Sequence, residues 1–243
     1  MIPKIIHYCW FGGKPLPSLA LKCIASWKKF LPDYEIREWN ESNFDVNAIP
    51  YTEQAYAQKK YAFVSDYARF KIMYEYGGIY FDTDVEIIKS LDDIIAKGSF
   101  FGLEKGCEGA SFNCAPGLGF ACAPRLGLCK DMLDLYGTLN FIVNGKSNVK
   151  TVVEYFSEIL LKKGVIPHKG VIEFENIYIY PSDYFCPKSF ENGKMQITNN
   201  TRTIHHYTSS WHGPKEKFIQ LLTRLIGTKN ILLLWKFFFG KEK

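Results

Sequence analysis

Residues 74–86 read Tyr74-Glu75-Tyr76-Gly77-Gly78-Ile79-Tyr80-Phe81-Asp82-Thr83-Asp84-Val85-Glu86, and the rest of the chain is organised around them. Gly77 and Gly78 can take the positive φ that closes a helix and reverses the backbone. Ile79, Tyr80 and Phe81 are β-branched or aromatic and predict a buried strand. That strand runs into Asp82-Thr83-Asp84. Residues i and i+2 of an extended segment share a face, and a bend at the strand end lets two carboxylates address one cation. Carboxylate oxygens are hard ligands suited to Mg²⁺ or Mn²⁺, the ions that also bridge phosphate oxygens. Taken alone, such a pair reads more simply as a solvated turn; its surroundings favour the metal.

Upstream, residues 52–76 carry the longest helical pattern, with a break near Lys59 and Lys60. Ala62, Asp66 and Arg69 share one face of it. Such a face is either a salt-bridged surface or a face turned to a ligand. In the second case Asp66 accepts hydroxyl hydrogen bonds and the Arg69 fork meets a hydroxyl or a phosphate oxygen. Further back, residues 4–10 predict a buried strand, residues 18–30 a helix stopped by Pro32, and residues 34–39 a second strand. This alternation predicts an α/β fold with a mainly parallel sheet and a nucleotide-binding half at the N-terminus. Ligands of open sheets sit beyond the carboxyl ends of strands, so the loop at 11–17 is placed to meet a nucleotide. Trp10, at its mouth, either stacks on a base or packs in the core. His7 reads as a hydrogen-bonded core histidine.

Downstream, residues 85–88 continue extended, a short helix starts at Ser90, and residues 99–104 predict another strand. The Gly-, Cys- and Pro-rich stretch 105–124 holds a lone Gly117-x-Gly119, too weak a signal for a phosphate loop. Helices are predicted at 127–139 and 150–163, a loop and strand at 167–180, and a turn at 181–187. A histidine pair, His205 and His206, then precedes Ser209-Ser210-Trp211, and such a pair is a better metal-ligand candidate than a lone histidine. Trp211 offers an indole N–H to a phosphate or serves as a buried anchor. In residues 213–243, lysines and an arginine interleave with Leu221, Leu225, Ile231, Trp235 and Phe238. This basic amphipathic pattern predicts a helix in a membrane interface, or one packed on the domain or in a dimer.

The 243 residues allow one sizeable core, and 47% hydrophobic with 23% charged residues excludes a disordered chain. A net charge of +5 fits a phosphate-bearing substrate or an anionic membrane surface, and no nucleic-acid-binding motif accompanies it. The seven cysteines, an odd number without a CxxC, read as reduced thiols. No signal-peptide pattern opens the chain and no run of about eighteen apolar residues is present. The expected location is the cytoplasm, at the inner face of the cell membrane.

Three separated motifs resemble glycosyltransferase family 32. The first is Ile2-Pro3-Lys4-Ile5-Ile6-His7-x-x-Trp10-x-Gly12. The second joins Ser65-Asp66-Tyr67-x-Arg69, Tyr76-Gly77-Gly78-Ile79-Tyr80 and Asp82-x-Asp84, and is similar to that family's sugar-binding region with its DxD motif. The third is His205-His206-x-x-x-Ser210-Trp211. The family includes mannosyltransferases, bacterial capsular-polysaccharide transferases and, more distantly, the glucosylating domains of large clostridial toxins.

The resemblance implies a GT-A type, Rossmann-like domain over residues 1–212, its mixed, mainly parallel sheet flanked by helices, and then the amphipathic helical tail at 213–243. It implies metal-dependent, retaining transfer of a hexose from a nucleotide sugar, UDP-linked by preference. The acceptor would be a hydroxyl of a glycan or lipid-linked glycan in surface (capsular) polysaccharide synthesis. Mn²⁺ or Mg²⁺ would be held by Asp82, Asp84, His206 and Ser209, although toxin relatives carry a carboxylate where His206 stands. Trp10, Asp66, Arg69, Asp82, Asn113, Ser210 and Trp211 would meet the donor, and Asp66, Arg69 and Asp84 would carry catalysis. Two rival readings use the same chain. A metal-assisted nucleotide-sugar hydrolase would release sugar without an acceptor. A non-catalytic, membrane-associated sugar-binding protein would bind no nucleotide through a metal, and it has no need of the acidic set.

Overall fold

The computed structural model describes residues 1–104, 112–190 and 193–208. Cys107, Ser209, Ser210, Trp211 and the tail at 213–243 lie outside the described residues. The N-terminal alternation forms β1 (Ile5–Cys9), α1 (Ser18–Phe30) and β2 (Glu35–Trp39). α1 buries Ala20, Cys23 and Trp27, a stripe at helical spacing. The predicted break separates α2 (Pro50–Ala57) from α3 (Tyr61–Tyr76), with Lys59 at φ 56°. α3 stops at Gly77, and Gly78 (φ 102°) turns the chain into β3 (Gly78–Tyr80). A Cβ on Gly78 would stand 2.5 Å from the Ile5 carbonyl oxygen, so strand and turn pack closely only with glycine there.

The chain continues through β4 (Val85–Ile87), α4 (Asp92–Ile95) and β5 (Ser99–Gly102). A 3₁₀ turn at Pro116–Leu118 leads to β6 (Phe120–Cys122) and α5 (Gly127–Gly137). A small hairpin, β7 (Ile142–Val143) and β8 (Lys146–Ser147), precedes α6 (Val152–Lys162), whose Thr151 and Glu154 form a capping box. β9 (Ile172–Phe174), β10 (Ile177–Tyr180), α7 (Ser182–Phe185) and β11 (Thr203–His205) complete the described elements.

The main sheet has the order β2-β1-β3-β6-β5-β10-β9. β1 pairs in parallel with β2 and β3, and β5 with β10, as the alternation predicts. β6 runs antiparallel to both β3 and β5. With no α-helix described between β5 and β6, the chain returns beside the strand it has just left, and together with the antiparallel β9–β10 pair this makes the sheet mixed. β4 and β11 pair antiparallel in a separate two-stranded sheet.

One face of the main sheet packs α2, α3, α5 and α6 through residues such as Tyr51, Phe70, Tyr136 and Phe156. The other packs α1, α4 and α7 through Trp27, Phe81, Ile94 and Phe185. The aromatic content therefore goes largely into the core; Phe101, for example, lies 4.9 Å from Phe120 and 4.7 Å from Phe156 between ring centroids. Six described cysteines are free and buried. Among the described residues, no helix is long and apolar enough to cross a membrane.

His7 joins these parts as a core histidine. The Trp39 indole N–H donates to its Nδ1 at 3.0 Å, so Nε2 carries the proton and donates to the Gly77 carbonyl at 2.9 Å. Burial pushes its pKa down to about 4, keeping the ring neutral. One side chain thus ties β1, β2 and the α3–β3 junction together just before the paired aspartates.

Candidate active site

The site lies at the carboxyl edge of β1 and β3. α3 crosses beneath that edge and presents Asp66 and Arg69, which are salt-bridged but buried rather than on the surface. Arg69 Nη2 stands 2.9 Å from Asp66 Oδ1 and 3.4 Å from Asp82 Oδ1, with its guanidinium 5.0 Å above the Tyr80 ring. Arg69 Nε donates to the Ser65 carbonyl at 3.1 Å, and Tyr80 donates its hydroxyl to Asp82 Oδ1 at 3.1 Å. The loop before β6 closes over this group. Asp82 N–H donates to the Gly117 carbonyl at 3.1 Å, and a Cβ on Gly117 would stand 2.0 Å from Asp82 Oδ2.

Burial pushes the Asp66 carboxyl up from 3.8 to about 7, against the opposing charge of Arg69 and with the help of Asp82. From about pH 4 to 7 the folded state holds this proton more tightly than the unfolded chain does. The stability it contributes is complete below about pH 4 and is lost as pH rises through about 7. The melting temperature of the wild type relative to Asp66→Asn is therefore expected to fall between about pH 4 and 8. A difference that stays flat over that window would rule the assignment out.

Asp84 follows in the turn before β4. Its Oδ1 lies 3.1 Å from His205 Nε2, and its Oδ2 accepts from the Thr208 N–H at 2.8 Å and the Thr208 hydroxyl at 2.9 Å. Burial alone would raise the Asp84 carboxyl, but His205 and Thr208 outweigh it and hold it well below the usual range. Burial likewise opposes charge on His205, and the Asp84 carboxylate overcomes it, so the imidazole stays protonated to a higher pH than usual.

The histidine beside Asp84 is thus His205 and not His206. Register explains the placement: His205 stands opposite Val85 in the β4–β11 pair, and consecutive side chains point to opposite sides. His206 turns the other way. Its Nε2 meets Glu86 Oε2 at 2.8 Å, and Glu86 also pairs with Lys22 at 2.9 Å. Only the His206 backbone N–H reaches Asp84, at the main-chain oxygen.

Trp10 is half-buried at the end of β1 and donates its indole N–H to the Lys14 carbonyl. With Gly13, Lys14, Glu38, Asn40, Glu41 and Ser42 it lines an open cleft of about 390 Å³ at the carboxyl edge of β1 and β2. Asn113 lies in the segment before the 3₁₀ turn, where its carbonyl accepts from the Glu104 N–H. The structure therefore gathers Asp66, Arg69, Asp82 and Asp84, sets Trp10 at an adjoining cleft, and separates the His206 ring from them.

Among the described residues, no group of three or more His, Cys, Asp or Glu side chains forms a ready metal cage. Asp82 and Asp84 nevertheless suit an ion completed by substrate oxygens and water, because Mg²⁺-like ions are commonly held by one or two carboxylates plus phosphates. The depressed Asp84 carboxyl meets the further requirement that a ligand be ionised. Tyr80, Gly117, His205 and Thr208 also shape the site. Tyr80 lay in the second motif, Gly117 in the weak Gly-x-Gly and His205 in the histidine pair, whereas Thr208 carried no sequence signal.

Residues 17–101 match the family described as glycosyltransferase sugar-binding region containing DXD motif. That span holds Asp66, Arg69, Asp82 and Asp84. Over 110 residues the chain is 36% identical to an uncharacterized glycosyltransferase of Acanthamoeba polyphaga mimivirus, covering 42% of this chain and 43% of that protein. Over 98 residues it is 33% identical to inositol phosphoceramide mannosyltransferase 3 of Schizosaccharomyces pombe (strain 972 / ATCC 24843), covering 39% of this chain and 27% of that protein. The chain spans less than half the length of either relative. The solved PaToxG glycosyltransferase superposes with a TM-score of 0.50 at 22% identity, covering 67% of this chain and 70% of that one. That likeness is one of fold, and the fold is of the GT-A type. The chain is thus similar to known glycosyltransferases in its DXD sugar-binding region, in part of its sequence and in its GT-A type architecture.

Proposed function

We propose that the protein is a metal-dependent, retaining hexosyltransferase that uses a nucleoside diphosphate sugar, uridine favoured, and a hydroxyl of a glycan or lipid-linked glycan. The observation that supports it most is the buried Asp66–Arg69–Asp82 array beside an ionised Asp84 and next to the Trp10 cleft. A bound divalent ion, Mn²⁺ or Mg²⁺, would be held by Asp82 and Asp84 and would supply positive charge to the departing diphosphate. Trp10 stacks on the base. Arg69, fixed between two acids, donates to a sugar hydroxyl or a phosphate oxygen without reorganising. Asp66, once ionised, accepts from a sugar hydroxyl and orients the ring for attack.

The acceptor oxygen bonds to the anomeric carbon on the face that the diphosphate leaves. Because attack and departure share that face, the configuration is retained, and the leaving phosphate takes the acceptor's proton. Surface polysaccharide synthesis at the inner membrane face, with the basic tail meeting the lipid, is the setting that a lipid-linked acceptor fits.

The test is thermal melting with Mn²⁺ against UDP, GDP, CMP and their sugars, with and without EDTA. A metal-dependent shift of roughly 5–10 °C is expected with UDP at about a hundredfold excess over Kd. A shift with GDP alone would reassign the base. No shift with any of them would overturn the reading.

A further inference from the structure

Glu104 takes no part in the assignments above. β3 and β5 both pair antiparallel with β6 and so run in the same direction. Ile79, Ala121 and Phe100 form one row across the three strands. Asp82 and Glu104, a few residues beyond Ile79 and Phe100, therefore leave the sheet at the same edge. They are separated by one intervening strand, a span of about 10 Å. The Trp10 cleft lies on the opposite side of Asp82, at β1 and β2.

Local contacts join Glu104 to the side chains around Asp84. Its N–H donates to the Asn113 carbonyl at 3.0 Å. Its carboxylate accepts from the Tyr207 hydroxyl, which also meets Cys186 Sγ at 2.9 Å. The Tyr207 ring centroid is 4.1 Å from that of His205, which in turn holds Asp84. Burial pushes the Glu104 carboxyl up, while His205 and Tyr207 restrain the rise. A donor laid from the Trp10 cleft past Asp82 and Asp84 carries its pyranose onward toward β5. A carboxylate at that end repels phosphate and receives hydroxyl donors.

We propose that Glu104 is the acceptor-binding carboxylate, taking a hydrogen bond from the sugar hydroxyl that attacks, with Tyr207 as its positioning residue. This rests on the transferase reading above. In the step itself the acceptor O–H breaks, a bond forms from that oxygen to the anomeric carbon, and the carbon–phosphate oxygen bond breaks. The nucleoside diphosphate leaves with the bonding pair and takes the proton. Glu104 is a carboxylate before and after.

The experiment compares wild type, Glu104→Gln and Tyr207→Phe by nucleotide release, using the UDP-sugar that gives the largest melting shift. Octyl β-glycosides of glucose, galactose and mannose serve as probe acceptors. For Glu104→Gln, glycoside-dependent release is expected to fall roughly tenfold or more, while water-dependent release and the Mn²⁺/UDP melting shift stay within about twofold. Tyr207→Phe is expected to raise the glycoside KM about threefold with an unchanged donor KM. The proposal is overturned if Glu104→Gln keeps its glycoside-dependent release, if it loses the nucleotide shift as well, or if no glycoside accelerates wild-type release. A wild type with neither nucleotide shift nor release refutes the transferase reading itself.

Discussion

Replacing Asp84 with alanine is expected to lower sugar transfer by roughly a thousandfold or more, the scale of loss when a preorganised electrostatic partner at a developing charge is removed. The Asp84 carboxyl is kept strongly ionised by His205 and by two bonds from Thr208. Alanine removes the charge and leaves those donors without their acceptor. Asparagine separates the two effects. Asp84→Asn keeps the shape and can still accept from Thr208 but loses the charge that pairs with His205, so it should melt below the wild type and above the alanine variant yet transfer as poorly as the latter. Turnover near the wild-type rate in either variant would contradict the assigned role of this carboxylate.

The second large effect is on stability. Arg69→Ala removes a buried cation and leaves Asp66 and Asp82 facing each other without it. Breaking a buried ion pair from one side costs about 3–5 kcal/mol, which corresponds to a melting temperature lower by roughly 10 °C in a chain of this size. Lysine is not a full substitute, since it lacks the Nε–H that Arg69 donates to the Ser65 carbonyl while Nη2 meets both acids. The combined variant Arg69→Met, Asp66→Asn, Asp82→Asn removes all three charges and should regain most of the lost stability while remaining inactive. If Arg69→Ala melted within about 2 °C of the wild type, the array would not be the buried linchpin described.

Local chemistry made much of this readable before the fold was seen. The spacing of Ala20, Cys23 and Trp27 and the stop at Pro32 define α1 without help from elsewhere. The Gly77-Gly78 turn and the apolar strand after it place Asp82 by short-range rules alone. Asp66 and Arg69 shared a helix face in the sequence, but whether that face met water or the sheet depended on packing that no single helix encodes. The choice between His205 and His206 turned on one residue of register in β11, set by pairing with β4 more than a hundred positions earlier. β6 is too short to declare its direction. Glu104 is a single acid beyond a strand, and only the return of β6 beside β5 brings it to the edge that Asp82 occupies.

The β4–β11 pairing also has a consequence for the order in which the molecule is made. Thr208 and Asp84 are 124 positions apart, and the ribosome delivers Asp84 first. At typical elongation rates of about 5–20 residues per second, Asp84 waits roughly 6–25 s for the donors that hold it. During that interval the nascent chain already carries Trp10, Asp66, Arg69 and Asp82. The acid that completes them stays unsupported until β11 and Thr208 arrive, so translation itself times the assembly of the site.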